Sequence, residues 1–334
     1  MSDRDQAIEA FLARAGWAGA TRRRLAGDAS FRRYERIAGP RGRAMLMDAP
    51  PPQEDVRPFL LIAEHLRALG YSAPAILAED RERGLLLLED FGDDTFTRLL
   101  AAGADEQQLY NLAVDLLIEL HRNPRATSVA LPPYDEARLL AEASLLTDWY
   151  LPATGQALPA DAREEYLSLW RRAFAVFADA APALVLRDYH VDNLMRLEGR
   201  SSIAACGLLD FQDAVIGPAA YDLVSLLEDA RRDVTPGVIA AMRTRYAAAF
   251  PRLDRAQFDA AYAVLGAQRN AKIVGIFTRL MVRDKKPHYL AHIPRVWRLL
   301  EGDLAHPALA GLRAWFDRRV PRDRRVVPRA AVPA

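Results

Sequence analysis

The sequence predicts an α+β protein of two lobes, a small β-rich N-terminal lobe and a larger, mainly helical C-terminal lobe. Three observations lead there. Short apolar runs separated by turn residues fill about the first 90 positions, helical periodicity dominates afterwards, and 334 residues exceed what one compact core ordinarily needs. The expected boundaries are 1–90 for the first lobe, 91–317 for the second, and 318–334 for a basic tail.

Each element has a local cause. Asp5 to Ala15 carries apolar residues on one helical face, and Ser30–Ile37 and Ala44–Asp48 read as strands around the turn Gly39-Pro40-Arg41-Gly42. Pro50-Pro51-Pro52 forbids a helix before about Asp55. From there to Leu69, Phe59, Leu60, Ile62, Ala63 and Leu66 recur at helical spacing, and Gly70 supplies the stop. Leu85–Glu89 is short, apolar and flanked by charge, as a buried strand is. In the second lobe, Asp105 with Gln108 three residues on starts a helix that runs to His121. Helical patterns follow over 136–150, 160–177, 221–230, 236–250, 255–281 and 293–304. The tail from Arg318, basic and without periodicity, is expected to stay disordered.

Bulk properties narrow the function. Forty-five basic and 44 acidic residues leave a net charge of +1, too small a field to favour nucleic acid or an anionic membrane. The one cysteine, Cys206, cannot form an internal disulfide and lies in an apolar run, so it reads as a reduced core residue. No run approaches ~18 continuous apolar residues, and the charged start MSDRDQAIEAFLARAG lacks the apolar centre of a signal peptide. The expectation is a cytoplasmic monomer whose partners are small molecules.

Chemistry concentrates in Leu186-Arg187-Asp188-Tyr189-His190-Val191-Asp192-Asn193-Leu194, followed seventeen residues after Asn193 by Asp210 at the end of an apolar strand. An Asp, an Asn five positions on and a second Asp closing the next strand are what a phosphoryl-transfer site requires. Asp188 would orient or deprotonate the attacking hydroxyl, because this reaction depends mainly on holding the nucleophile in line. Asn193 and Asp210 would offer Mg2+ hard oxygen ligands and leave the rest of its shell to phosphates and water. His190 has two readings, a donor to the transferred phosphoryl or a lock on the loop.

These residues resemble the aminoglycoside-phosphotransferase-like family of small-molecule kinases. The family pattern maps onto Asp188, His190, Asn193 and Asp210, and Asp222, in the segment Asp210 to Leu223, corresponds to the residue that braces the catalytic loop. Met47-Asp48-Ala49-Pro50-Pro51, Leu88-Glu89-Asp90-Phe91-Gly92-Asp93 and Gln268–Phe277 are similar to the bacterial anomeric kinases of N-acetylmuramate and N-acetylglucosamine. The likeness runs from about residue 25 to about 300. It implies a protein-kinase-like fold, ATP and Mg2+ as cofactors, and an amino sugar of peptidoglycan recycling as acceptor. On that pattern Ser30 lies in the loop over the phosphates, Leu88 and Glu89 form the adenine hinge, and Met47 stands where a phosphate-gripping lysine is usual. The chain has three lysines, Lys272, Lys285 and Lys286, and none is in the first lobe. Arg32 or Arg33 remains to supply the charge, Arg33 being the one assigned, and Glu64 is the candidate for the usual helix glutamate. Acceptor recognition is expected from Glu142, Trp149 and Tyr150, and from Arg269 in the polar cluster Gln268 to Lys272. Two other functions stay open: a kinase of another small alcohol, aminoglycoside- or choline-like, and a nucleotide-binding regulatory module without catalysis.

Overall fold

In the computed structural model of the protein, residues 2–25, 31–156 and 158–329 are described. The elements follow in the order α1 Asp3–Arg14, β1 Thr21–Arg24, β2 Arg33–Gly39, β3 Gly42–Asp48, α2 Arg57–Ala68, β4 Ile76–Asp80, β5 Leu85–Glu89, α3 Phe96–Ala101 and α4 Glu106–Arg122. After them come α5 Glu136–Leu145, α6 Leu151–Ala153, α7 Ala160–Phe174, β6 Pro182–Val185, β7 Leu194–Arg196, β8 Cys206–Leu208 and β9 Val215–Pro218. The chain closes with α8 Ala220–Leu227, α9 Pro236–Ala248, α10 Arg255–Val282, α11 Ile293–Asp303 and α12 Ala310–Arg319. It is an α+β fold that divides into two compact units, Met1–Leu116 with Val191–Ala214, and Leu117–His190 with Val215–Ala334. The observed division differs from the expected break at residue 90 in two ways: the first unit continues to Leu116, and the segment Val191–Ala214, with Asn193 and Asp210, also belongs to it.

The first unit is built on a five-stranded antiparallel sheet in the order β1-β2-β3-β5-β4. One face packs on α1, with Ile37, Ala44, Leu46, Leu85 and Leu87 meeting Ile8, Phe11 and Leu12. Because side chains alternate along a strand, Tyr34, Met47 and Leu86, which are paired across the strands, share the other face. β1 and β4 were not foreseen. Both lie at sheet edges, and β1, Thr-Arg-Arg-Arg, has no apolar residue to reveal it.

The second unit is organised around α10, whose Asp254 caps it by accepting from the Gln257 N–H at 3.0 Å. Two glycines let neighbours approach it closely: a Cβ at Gly275 would overlap the Leu145 carbonyl, and one at Gly266 would lie 2.6 Å from Asp303 Oδ1. The helix expected over 136–150 is α-helical to Leu145 and closes in a π-helical turn, Leu146–Tyr150. The tail corrects an expectation. The stretch is anchored on the unit at Val320, Arg325 and Pro328, the Arg325 side chain being 5% exposed and paired with Glu301 at 2.5 Å and Asp317 at 3.2 Å, over the Trp297 ring. Basic composition suggested disorder, but acidic partners and an aromatic face neutralise that charge locally.

Candidate active site

The second unit holds the segment 186–190. Arg187 adopts φ +70°, a left-handed backbone that a long side chain enters only when its surroundings impose it. Asp222 of α8, fully buried, imposes it by accepting the N–H groups of Leu186 at 2.6 Å and Arg187 at 2.8 Å, while Ser225 Oγ donates to the Arg187 carbonyl at 3.1 Å. Burial pushes the Asp222 carboxyl up to about 7, with the two N–H donors pulling the other way. Together these bonds hold the backbone of the turn in place. The same turn is closed by the His190 N–H donating to the Asp188 carbonyl at 3.1 Å and leaves Asp188 itself half-buried. His190 is 6% exposed, and burial holds its imidazole below the usual histidine range, which favours the neutral ring.

Arg187, which sequence reasoning passed over, ties this turn to the substrate candidates. Its guanidinium pairs with Glu142 and lies over the Tyr134 ring at 5.6 Å. Glu142 also accepts from the Tyr134 hydroxyl and pairs with Lys272 at 3.1 Å; burial alone would raise its carboxyl, and Lys272 and Arg187 more than reverse that. The side-chain donors of the polar cluster of α10 find acceptors within the unit in the same way, while Gln268 Oε1 and Asn270 Oδ1 have no hydrogen-bond partner among the described residues. Gln268 donates to the Leu139 carbonyl at 3.1 Å, Asn270 to Glu228 at 2.8 Å and Asp303 at 3.0 Å, and Arg269, 5% exposed, to the Glu228 carbonyl at 3.3 Å. Tyr150 corrects an expectation. It is fully buried, its hydroxyl donates to the Val326 carbonyl at 2.8 Å, and its ring packs edge-on to Trp297, so it anchors the tail and presents no face to a sugar. Trp149 beside it is half-buried.

The first unit holds the metal candidates. β7 and β8 pair Leu194 with Leu208, which brings Asn193 Nδ2 to 3.5 Å from Asp210 Oδ2. Asp210 has φ +56°, accepts from Gln212 Nε2 at 2.8 Å, and is followed by Phe211, 1% exposed and stacked on Phe59 of α2 at 4.9 Å. Among the described residues no three histidine, cysteine or carboxylate side chains converge on one point. One carboxylate beside one amide fits magnesium, which is commonly held by one or two protein oxygens together with phosphates.

The nucleotide candidates fare unequally. Ser30 lies outside the described residues. Met47 is 1% exposed in β3 and Leu88 3% exposed in β5, both as apolar wall. The Glu89 N–H donates to the Ala75 carbonyl at 2.9 Å and its carboxylate pairs with Arg200, so neither is directed to an adenine edge. Arg33 is exposed and opposite Asp48, whereas Arg32 is half-buried and lies 3.6 Å from Asp210 and 3.4 Å from Glu54. Glu64 is exposed. The parity of β2 was the sequence signal that separates Arg32 from Arg33; nothing in the sequence singled out Glu54.

Comparison with known proteins gives the family. The profile of the phosphotransferase enzyme family matches residues 21–258, most of the chain. The chain belongs to that family. An N-acetylmuramate/N-acetylglucosamine kinase of Caulobacter vibrioides is 39% identical over 97% of this phosphotransferase and 99% of its own length. One of the same name from Pseudomonas aeruginosa is 40% identical over 85% and 84%. Among solved structures, the GDP complex of wild-type aminoglycoside 2'-phosphotransferase-IIIa superposes with a TM-score of 0.61 at 17% identity, covering 91% of this chain and 99% of that one. Choline kinase LicA from Streptococcus pneumoniae gives 0.63 at 13%, covering 91% and 100%. Identities that low establish the fold alone, a protein-kinase-like one. The family and the near-full-length relatives make this phosphotransferase a kinase with an alcohol group as acceptor.

Proposed function

We propose that this phosphotransferase moves the γ-phosphoryl of ATP, with magnesium, to the anomeric hydroxyl of N-acetylmuramate and N-acetylglucosamine, giving the sugar 1-phosphate. The observation that carries the reading is length. The family profile ends at residue 258, but the Caulobacter relative matches 97% of the chain and so extends through α10 and beyond, where a family-wide match no longer supplies the likeness. The acceptor is therefore taken from the relatives that share the whole chain.

The residues have separable tasks. Asn193 and Asp210 would hold magnesium, which supplies charge neutralisation to the phosphates when bound. Asp188 orients the sugar hydroxyl and takes its proton; a hemiacetal hydroxyl is more acidic than an ordinary alcohol, so the transfer can come late. His190, buried and neutral, holds the turn or donates one hydrogen bond into it. Asp222 keeps Arg187 left-handed and thereby fixes where Asp188 points. The product belongs to reuse of cell-wall sugars, and the cytoplasm is where ATP is met.

A panel of N-acetylated sugars, aminoglycosides and choline, offered with Mg–ATP and read by ADP release, tests the reading. We expect turnover on the two amino sugars and a phosphorus signal coupled to C1 of the product. Phosphate on another hydroxyl would remove the anomeric assignment, and turnover restricted to an aminoglycoside or choline would remove the sugar.

A further inference from the structure

Phosphoryl transfer needs a fixed cation on the nucleotide's phosphates, ordinarily a strand lysine steadied by a helix glutamate. In this chain the corresponding β3 position is Met47, 1% exposed, and Glu64 of α2 faces solvent. The role is unfilled at both ends. Strand parity shows which arginine can take it. Tyr34 is paired with Met47 and Arg36 with Met45, so the even-numbered residues of β2 share the face of Met47, and Arg32, directly before the strand, continues that series. Arg33 falls on the opposite parity. Arg36 is engaged by Asp90 at 2.8 Å and Asp93 at 2.9 Å.

Arg32 is also held in place. Its side chain is 13% exposed, Nη1 lies 3.6 Å from Asp210 Oδ1, and Nε lies 3.4 Å from Glu54 Oε2. The other oxygen of Glu54 accepts the Phe31 N–H at 3.0 Å, so one carboxylate fixes both the backbone and the side chain of this turn. A phosphate that shares a magnesium ion with Asp210 comes within reach of a guanidinium already beside that carboxylate. The planar fork of the guanidinium suits two phosphate oxygens at once.

We infer that Arg32 is the cation that holds the nucleotide's phosphates and that Glu54 is its positioning carboxylate, the pair standing in for the lysine of β3 and the glutamate of α2. The inference rests on the kinase reading above. Glu54 comes from the stretch after Pro50-Pro51-Pro52, so the pair lies within residues 31–54 and does not depend on the placement of α2.

The test titrates Mg–ATP and adenosine, by calorimetry, into the full-length wild type and Arg32→Ala, Arg32→Lys, Arg33→Ala, Glu54→Gln and the Arg32→Ala/Glu54→Gln double variant. Losing a charged hydrogen bond predicts a roughly tenfold to hundredfold weaker Mg–ATP affinity in Arg32→Ala. Adenosine affinity should not change, because it carries no phosphate. Arg32→Lys should recover part of the loss. Glu54→Gln should lose less than Arg32→Ala and add nothing to it in the double variant, because Glu54 acts through Arg32. Wild-type Mg–ATP affinity in Arg32→Ala, an equal loss for adenosine, or the loss appearing in Arg33→Ala instead would each overturn the assignment. Failure of the kinase reading looks different: the wild type itself would bind no Mg–ATP, and the assignment would fall with it.

Discussion

Asp188 is the residue to which the proposed function gives the acceptor's proton, and its surroundings say what its loss should do. It is half-buried at the end of a turn held by Asp222 and Ser225 through backbone atoms, so the turn does not depend on the Asp188 carboxylate for those bonds. Asp188→Asn keeps the shape and removes the carboxylate proposed as base. We expect turnover on the sugar to fall by roughly 10²–10⁴, the usual worth of a positioned acid–base group, with Mg–ATP affinity unchanged. Near-normal turnover in the folded variant would move the proton acceptor elsewhere. At this scale the spacing of Asp188, Asn193, Asp210 and Asp222 pointed to segments that local bonds hold in place, with Asp222 accepting the N–H groups of Leu186 and Arg187 and Asn193 lying 3.5 Å from Asp210; their roles are those proposed above. The sequence was least legible where the residue type is common. Arg187 and Glu54 carry no signature in a chain with 45 basic and 44 acidic residues, and only their partners mark them. Tyr150 misled for the same reason, since an aromatic near a carboxylate reads equally as sugar platform or as packing.

Among the elements, helices with a clear apolar stripe were legible to within a few residues, as α2, α4 and α10 show, whereas edge strands were not. The π-helical turn at Leu146–Tyr150 was hidden because an extra residue per turn leaves no mark on apolar spacing over so short a run. α10 offers a prediction in which two effects compete. Replacing a helix-interior glycine by alanine ordinarily stabilises by about 1 kcal/mol. At Gly275 the new Cβ would overlap the Leu145 carbonyl, which is backbone and cannot rotate away, and overpacking of that kind costs about 1–3 kcal/mol or more. Gly275→Ala should therefore lower the melting temperature. Gly237 in α9, where an added methyl group would meet nothing within 4 Å, serves as the contrast: Gly237→Ala should leave it unchanged or raise it. If both substitutions stabilise, the close approach of α10 to the Leu145 backbone is not present in solution.

For the molecule as a whole, the near-neutral charge is an average over paired groups, and acid stability depends on which of them are buried without charge. His121, at the end of α4, is half-buried in the second unit with Nδ1 2.7 Å from the Tyr246 hydroxyl, and burial of its ring lowers its pKa to about 4 from an ordinary 6.5. A histidine whose folded pKa is depressed stabilises the fold fully above the unfolded value, where both states are neutral. As pH falls below 6.5 the unfolded chain takes a proton that the folded chain refuses, so stability is lost progressively down to about 4. The difference of pKa values converts to about 3 kcal/mol over that window. His190, lowered by burial as well, adds in the same direction. Urea unfolding of the wild type, followed from pH 7.5 to 4 in roughly half-unit steps, should show the midpoint falling on the acid side of about 6.5. His121→Gln keeps a polar side chain for Tyr246 but cannot titrate; it should start lower at neutral pH and fall less steeply, so that the two curves converge on acidification. Parallel curves would mean that His121 accepts its proton in the folded protein as readily as in the unfolded one, and that the enclosure around Tyr246 admits water.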